Sequence, residues 1–143
     1  MAPPERPLSV GDHRELVLVD NLTRTQIVQY AGASGDFNPL HTDEIYATQV
    51  AGFPSVFAHG MLTMGMTARI VTDWVGDGRL LRYKARFVKQ VWPGDTLTAR
   101  AEVTAWREVD DGPVIDIDVV TRNQDGDVVL SGTATARREE GDI

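Results

Sequence analysis

Cysteine is absent from the chain, which excludes disulfides, thiolate metal sites and a cysteine nucleophile. Long apolar runs are absent too: no stretch approaches the ~18 consecutive apolar residues of a membrane-spanning helix. The opening "MAPPERPLSVGD" has neither the cationic start nor the apolar centre of a secretory signal, so a cytoplasmic location is expected. Positive charge is scarce, with 14 Lys+Arg against 21 Asp+Glu and a formal net charge of −7. Such a chain repels the phosphate backbone that dominates nucleic-acid affinity, and nucleic acid is not an expected partner. An anionic ligand would need cations concentrated locally. No internal repeat, low-complexity stretch or linker divides the sequence.

What is present is the composition of an ordinary globular protein, 42% apolar and 24% charged over 143 residues. A single domain over residues 1–143 is expected, with roughly two-thirds of its unfolded surface buried on folding. Residues 1–12 hold three of the seven prolines and read as an extended N-terminal arm, and residues 138–143, "REEGDI", read as a charged, solvated tail.

The hydrophobic period changes along the chain. "HRELVLVD" alternates as a strand does, whereas in "NLTRTQIVQYAGASGD" the spacing of Leu22, Ile27, Val28 and Tyr30 suits a helix. That helix would be capped by Thr23 or Asn21 and ended by Gly32 and Gly35. "TDEIYATQV" predicts one or two helical turns with acidic residues in the first turn, and "AGFPSVFAHG", broken by Gly52 and Pro54, predicts an irregular segment. "MLTMGMTARIVTDWV" is apolar all round, the pattern of a helix buried on most sides, and Gly76 and Gly78 stop it. Four β-rich runs follow, separated by "PGD", "DDG" and "QDGD", which predicts an antiparallel meander or something close to it. One strand before a buried helix and four after it imply an α+β fold in which a curved antiparallel sheet wraps a long central helix.

The stretch most dense in chemistry is "SGDFNPLH", residues 34–41. Asp36 and His41 are five positions apart and share no helical face, so they can meet only if the loop turns. Pro39 fixes its own φ and restricts Asn38 to extended backbone, and Asn38 is suited to holding a turn through side-chain to backbone hydrogen bonds. Taken alone, the same residues also suit a capped turn followed by an ordinary loop histidine.

"YAGASGDFNPLHTDEIYA", followed by "FAHGMLTMG" and then by "RFVKQVWPGDTL", resembles the MaoC-like hydratase/dehydratase family of hot dog folds over residues 22 to 100, and single-hot-dog actinobacterial members in particular. The resemblance implies reversible hydration of trans-2-enoyl-CoA to (3R)-3-hydroxyacyl-CoA in fatty-acyl or related lipid metabolism. That reaction needs a base for the attacking water, an acid for the α-carbon and donors for charge on the thioester oxygen. By the same resemblance Asp36 and His41 are the catalytic pair sharing one water, and Ser34, Gly35, Asn38 and Pro39 support the motif. The Gly60 N–H forms the oxyanion hole, at a helix start where free N–H groups and the positive end of the macrodipole converge. Gly60 equally suits a tight turn into the helix, and both can hold.

Substrate binding is assigned to Phe57, His59, Met61, Leu62, Arg82, Lys84 and Arg86. Of these, His59 reads as structural rather than catalytic. Met61 and Leu62, with Met64 and Met66, suit either an acyl tunnel or core packing, and Phe53, Phe57 and Trp74 share that ambiguity. Arg82, Lys84 and Arg86 alternate along a strand and so share one face, fit for CoA phosphates, for the acidic surface of an acyl carrier protein, or for solvent. "WPGDTL" reads as a turn without chemistry, and His13 as a strand residue without a partner. Asp36, His41 and His59 would reach a ligand count of three for a metal, but the motif context argues against one, and neither metal nor cofactor is expected. A single hot dog exposes sheet edge and half a tunnel, so a homodimer or a heterodimer with another hot dog subunit is expected. The alternatives are a subunit of a (3R)-hydroxyacyl-ACP dehydratase of fatty-acid elongation, a non-catalytic hot dog partner, and thioester hydrolysis on the same fold.

Overall fold

The computed structural model describes residues 6–138. The first alternating run forms β1 (His13–Val19), and the chain then enters α1 (Arg24–Ser34). Thr23 is the cap: its hydroxyl accepts the Gln26 N–H at 3.0 Å while the Gln26 side chain accepts the Thr23 N–H at 2.9 Å, a reciprocal capping box. The helix runs further than its glycines predict. Gly32 stays inside it, and Gly35, at φ 76° with its N–H on the Ala31 carbonyl, closes it. A glycine in mid-helix costs only about 1 kcal/mol, whereas the left-handed closing residue needs one.

A short π-helical turn, Tyr46–Val50, is followed by the irregular stretch expected around Pro54 and then by α2 (Gly60–Val75). The sheet is completed by β2 (Leu80–Phe87), β3 (Leu97–Val109), β4 (Gly112–Arg122) and β5 (Val128–Arg137), all antiparallel in the order β1-β3-β4-β5-β2. Three of the four late runs do form a meander. β2 departs from it and pairs with β5, because the "WPGD" segment after it is tied to the end of β1. There the Gly94 N–H reaches the Leu22 carbonyl at 2.7 Å and the Leu22 N–H reaches the Asp95 carbonyl at 2.8 Å. The chain must therefore cross from one sheet edge to the other before β3 begins.

α2 lies on the inner face and touches every strand. Its Ile70, Val71 and Trp74 pack on Leu97, Val103, Ile115, Ile117, Val119 and Leu130. Between those large residues Ala99, Ala101, Ala134 and Ala136 are fully buried, and their small side chains let the helix settle into the curve of the sheet. Two polar links cross this layer. The Thr67 and Thr121 hydroxyls meet at 2.6 Å, and the Tyr83 hydroxyl on β2 donates to the Met64 carbonyl on α2 at 2.9 Å.

Burial pushes the Tyr83 phenol up from 10.0 to about 12. A raised acid constant means that the folded state favours the neutral phenol, so this contribution is complete below pH 10 and is lost as pH rises towards 12. Tyr83→Phe should be less stable than wild type by about 1 kcal/mol at neutral pH, with the gap closing across that alkaline window. Urea titrations at a series of pH values check it.

Residues 6–12 are not a plain extended arm. Leu8 is buried in the core, Arg6 pairs with Asp12 at 2.9 Å, and Gly11 and Asp12 exchange backbone hydrogen bonds with Val103 at 2.8 Å. An apolar side chain within reach of uncovered core has more to gain from packing than from solvent. The rest of the expected arm, residues 1–5, and the tail from 139 to 143 lie outside the described residues.

Candidate active site

Three short polar side chains at alternate positions fold the "SGDFNPLH" loop. Ser34 Oγ accepts the Asp36 N–H at 3.1 Å, Asp36 Oδ1 accepts the Asn38 N–H at 3.2 Å, and Asn38 Oδ1 accepts the Leu40 N–H at 3.0 Å. Each is a turn in which a side chain takes the place of a backbone acceptor. The Asn38 carbonyl then takes the His41 N–H at 3.0 Å, and the Pro39 carbonyl takes the N–H groups of Thr42 and Asp43. The chain so folded brings His41 back to Asp36: ligand-type atoms of Asp36, His41 and His59 all lie within 4.8 Å of one another.

The irregular stretch supplies the other side of the site. Its Phe57 N–H binds the Leu40 carbonyl at 3.3 Å and its Ala58 N–H binds the Val91 carbonyl at 2.8 Å, so it runs between the loop and the segment after β2. Glu44 accepts the Val56 N–H at 3.3 Å and is also hydrogen-bonded to Arg24 of α1, which holds the Glu44 carboxyl below its usual range. Anchored in this way, the Phe57 carbonyl meets His41 Nδ1 at 2.6 Å. A carbonyl only accepts, so Nδ1 carries the proton, and Nε2 of the neutral ring is left with a free lone pair.

His59 lies behind His41. Its ring stacks on the His41 ring with centroids 3.8 Å apart and planes at 25°, and Tyr30 meets it edge-on at 4.8 Å. His59 Nε2 donates to the Asp36 backbone carbonyl at 3.0 Å, and its Nδ1 is buried without a partner among the described residues.

Gly60 is the first residue of α2, and His59, the capping residue, makes no side-chain cap. Leu62 and Thr63 donate to the His59 carbonyl, and no hydrogen bond among the described residues takes up the N–H groups of Gly60 and Met61. The ring of Phe87 lies against Gly60, where an added Cβ would come within 2.9 Å of it. A cavity of about 240 Å³ opens beside this point, lined by Phe57, Gly60, Thr63, Phe87, Val91 and Val129.

The sequence matches the family model described as MaoC like domain over residues 6–124. The chain belongs to the MaoC-like domain family. It is 40% identical over 100 residues to the "3-hydroxyacyl-thioester dehydratase Y" of Mycobacterium tuberculosis, an alignment covering 68% of this chain and 33% of that protein. This chain thus spans about a third of the length of that relative. Among solved structures it resembles the (R)-hydratase from A. caviae involved in PHA biosynthesis, with a TM-score of 0.79 and 30% identity over 91% of this chain and 96% of that one. It also resembles the ChsH1–ChsH2 complex from Mycobacterium tuberculosis, with a TM-score of 0.76 and 30% identity over 92% of this chain and 98% of that one. The fold is the α+β hot dog fold expected from the sequence.

On this MaoC-like scaffold the residues singled out in the sequence fall into two groups. Asp36 and His41 come together with His59, and Phe57, half-buried between the rings of His41 and Trp92, also lines the cavity beside Gly60. Met61 is 56% exposed at the start of α2, and Leu62, Met64 and Met66 pack against the core. His59 is only 2% exposed and stacks on the His41 ring. Arg82, Lys84 and Arg86 occupy the face of β2 turned away from α2, because Tyr83 and Ala85 take the inward positions. Lys84 and Arg86 line a separate groove on the outer sheet surface with Asp118, Ser131 and Thr133.

Asp95 went unrecognised in the sequence. It is 6% exposed, and its carboxylate takes the Trp92 N–H and the Gln124 side chain, each at 2.9 Å. The available signal was the position of an Asp three residues after an N–H that Pro93 carries out of any regular ladder. Among the described residues no helix is long and apolar enough to cross a membrane.

Proposed function

We propose that this chain catalyses the reversible hydration of a trans-2-enoyl-CoA to a (3R)-3-hydroxyacyl-CoA. The observation that carries the reading is the hydrogen bond of His41: its Nδ1–H is spent on the Phe57 carbonyl at 2.6 Å, which frees Nε2 to act as a base, in a ring with a nitrogen within 4.8 Å of an Asp36 carboxylate oxygen. In the hydration direction His41 Nε2 takes a proton from water as the water oxygen bonds to the β-carbon. The π-electrons move towards the thioester oxygen, where the Gly60 N–H and the positive end of α2 stabilise the developing charge. Asp36 accepts a hydrogen bond from the water's second O–H, which stays on the oxygen, and so orients it. The proton held by the pair is then delivered to the α-carbon, so that H and OH are added across the double bond. Dehydration is the same path reversed.

The family membership and the hydratase and dehydratase names of the relatives support the reaction type, and the (R) configuration follows the A. caviae neighbour. β2 ends the sheet with one free edge, and edge-to-edge pairing with a second hot dog subunit, identical or not, would cover it. The test mixes the purified protein with crotonyl-CoA and with a longer trans-2-enoyl-CoA and follows loss of the enoyl-thioester absorbance, with chiral analysis of the product. Turnover to the (3R) product is expected. A folded protein that turns over neither substrate would overturn the free-standing CoA hydratase and favour an ACP-linked or partner-dependent dehydratase subunit.

A further inference from the structure

We infer that His59 is a positioning residue that sets the geometry of the Asp36–His41 pair against the start of α2. The inference rests on the hydratase reading for its kinetic consequence but on the fold for its cause. Residues 34–39 are all exposed, and their turn hydrogen bonds close within the loop itself. Among the hydrogen bonds of the described residues, the one that ties Asp36 to the rest of the protein is the His59 Nε2–H on the Asp36 carbonyl at 3.0 Å. The same imidazole backs the His41 ring at 3.8 Å.

His59 is itself buried. Its carbonyl receives the N–H groups of Leu62 and Thr63 in the first turn of α2, its ring is 2% exposed, and Tyr30 closes its far side. The peptide that follows it carries the Gly60 N–H. One side chain therefore locks the carboxylate, the base and the oxyanion donor into one frame. A phenylalanine in its place would fill the same volume and stack on His41 but would leave the Asp36 carbonyl untied. A glutamine carries a donor at a similar reach to Nε2 without the ring. The two substitutions separate positioning from packing.

The experiment compares wild type, His59→Phe and His59→Gln in kcat and KM for trans-2-enoyl-CoA hydration, and in hydrogen exchange of the Asn38 and Leu40 amides. A displacement of about 1 Å at a reacting group costs on the order of 10²-fold in rate. His59→Phe should therefore lose about 30- to 100-fold in kcat with KM changed less than about threefold, and His59→Gln should recover to within about fivefold of wild type. The Asn38 and Leu40 amides should exchange at least about tenfold faster in the phenylalanine variant than in the glutamine variant. If His59→Phe does not fold, His59→Asn, whose amide is too short to reach the Asp36 carbonyl, replaces it with the same expected losses. Equal losses in both variants, a change confined to KM, or unaltered amide exchange would overturn the inference. A wild type without turnover would defeat the hydratase reading alone, since the exchange measurement still decides whether His59 holds the loop.

Discussion

Asp36→Asn and His41→Ala should each lower kcat for enoyl-thioester hydration by about 10²- to 10⁴-fold, the range that a positioned acid or base contributes, while the fold survives. The asparagine variant is the sharper of the two. Its amide oxygen can still accept the Asn38 N–H that Asp36 Oδ1 accepts at 3.2 Å, so the turn persists while the negative charge that orients the water is gone. In the alanine variant the Phe57 carbonyl loses its 2.6 Å donor. That carbonyl belongs to a half-buried residue and can find solvent, so the stability cost should stay near 1 kcal/mol. Groups that act on one water work as a unit, and the double variant should fall scarcely further than the worse single one. Initial rates, set beside thermal unfolding of the same preparations, make the measurement. Activity that survived both substitutions would mean that the water is activated elsewhere.

The largest loss of stability is expected at Asp95, outside the reacting groups. Asp95→Ala leaves the N–H of half-buried Trp92 without its acceptor and removes the partner of Gln124, an exposed residue, both at 2.9 Å from a carboxylate whose residue is only 6% exposed. A donor left unsatisfied when buried costs about 1–3 kcal/mol, so with the Gln124 amide free to meet solvent a loss of about 2 kcal/mol is expected from a domain whose whole stability is on the order of 5–15 kcal/mol. The effect should spread, because this turn ties the segment between β2 and β3 to Leu22 and sets the Val91 carbonyl on which Ala58 hangs. Asp95→Asn keeps one acceptor and should cost about half as much, and Gln124→Ala about 1 kcal/mol. Urea midpoints at constant slope decide it. An unchanged midpoint for Asp95→Ala would show that solvent reaches the turn freely.

Much of this protein was legible in its residues because the forces concerned act over a few positions. Period-2 alternation placed the strands, an all-round apolar helix announced the centre of the core, and Thr23 or Asn21 marked where α1 begins. The turn-forming power of Ser34, Asp36 and Asn38 is likewise local, since each side chain reaches a backbone N–H two residues on. What remained closed to inspection depends on partners far along the chain. β2 leaves the meander because the segment after it is held at Leu22, and nothing in the β2 residues themselves records that. The outward turn of Arg82, Lys84 and Arg86 follows from the bond between Tyr83 and Met64, 19 residues apart. The alternation showed that the three share a face but left open which face. Likewise His41 gains its tautomer from Phe57, 16 residues later, and Asp36 its tether from His59, 23 residues later. Residue types and spacing determined which groups were fit for the chemistry. Only the tertiary structure decided which nitrogen of His41 meets a carbonyl and which histidine is tied to Asp36, because both depend on where distant carbonyls come to rest.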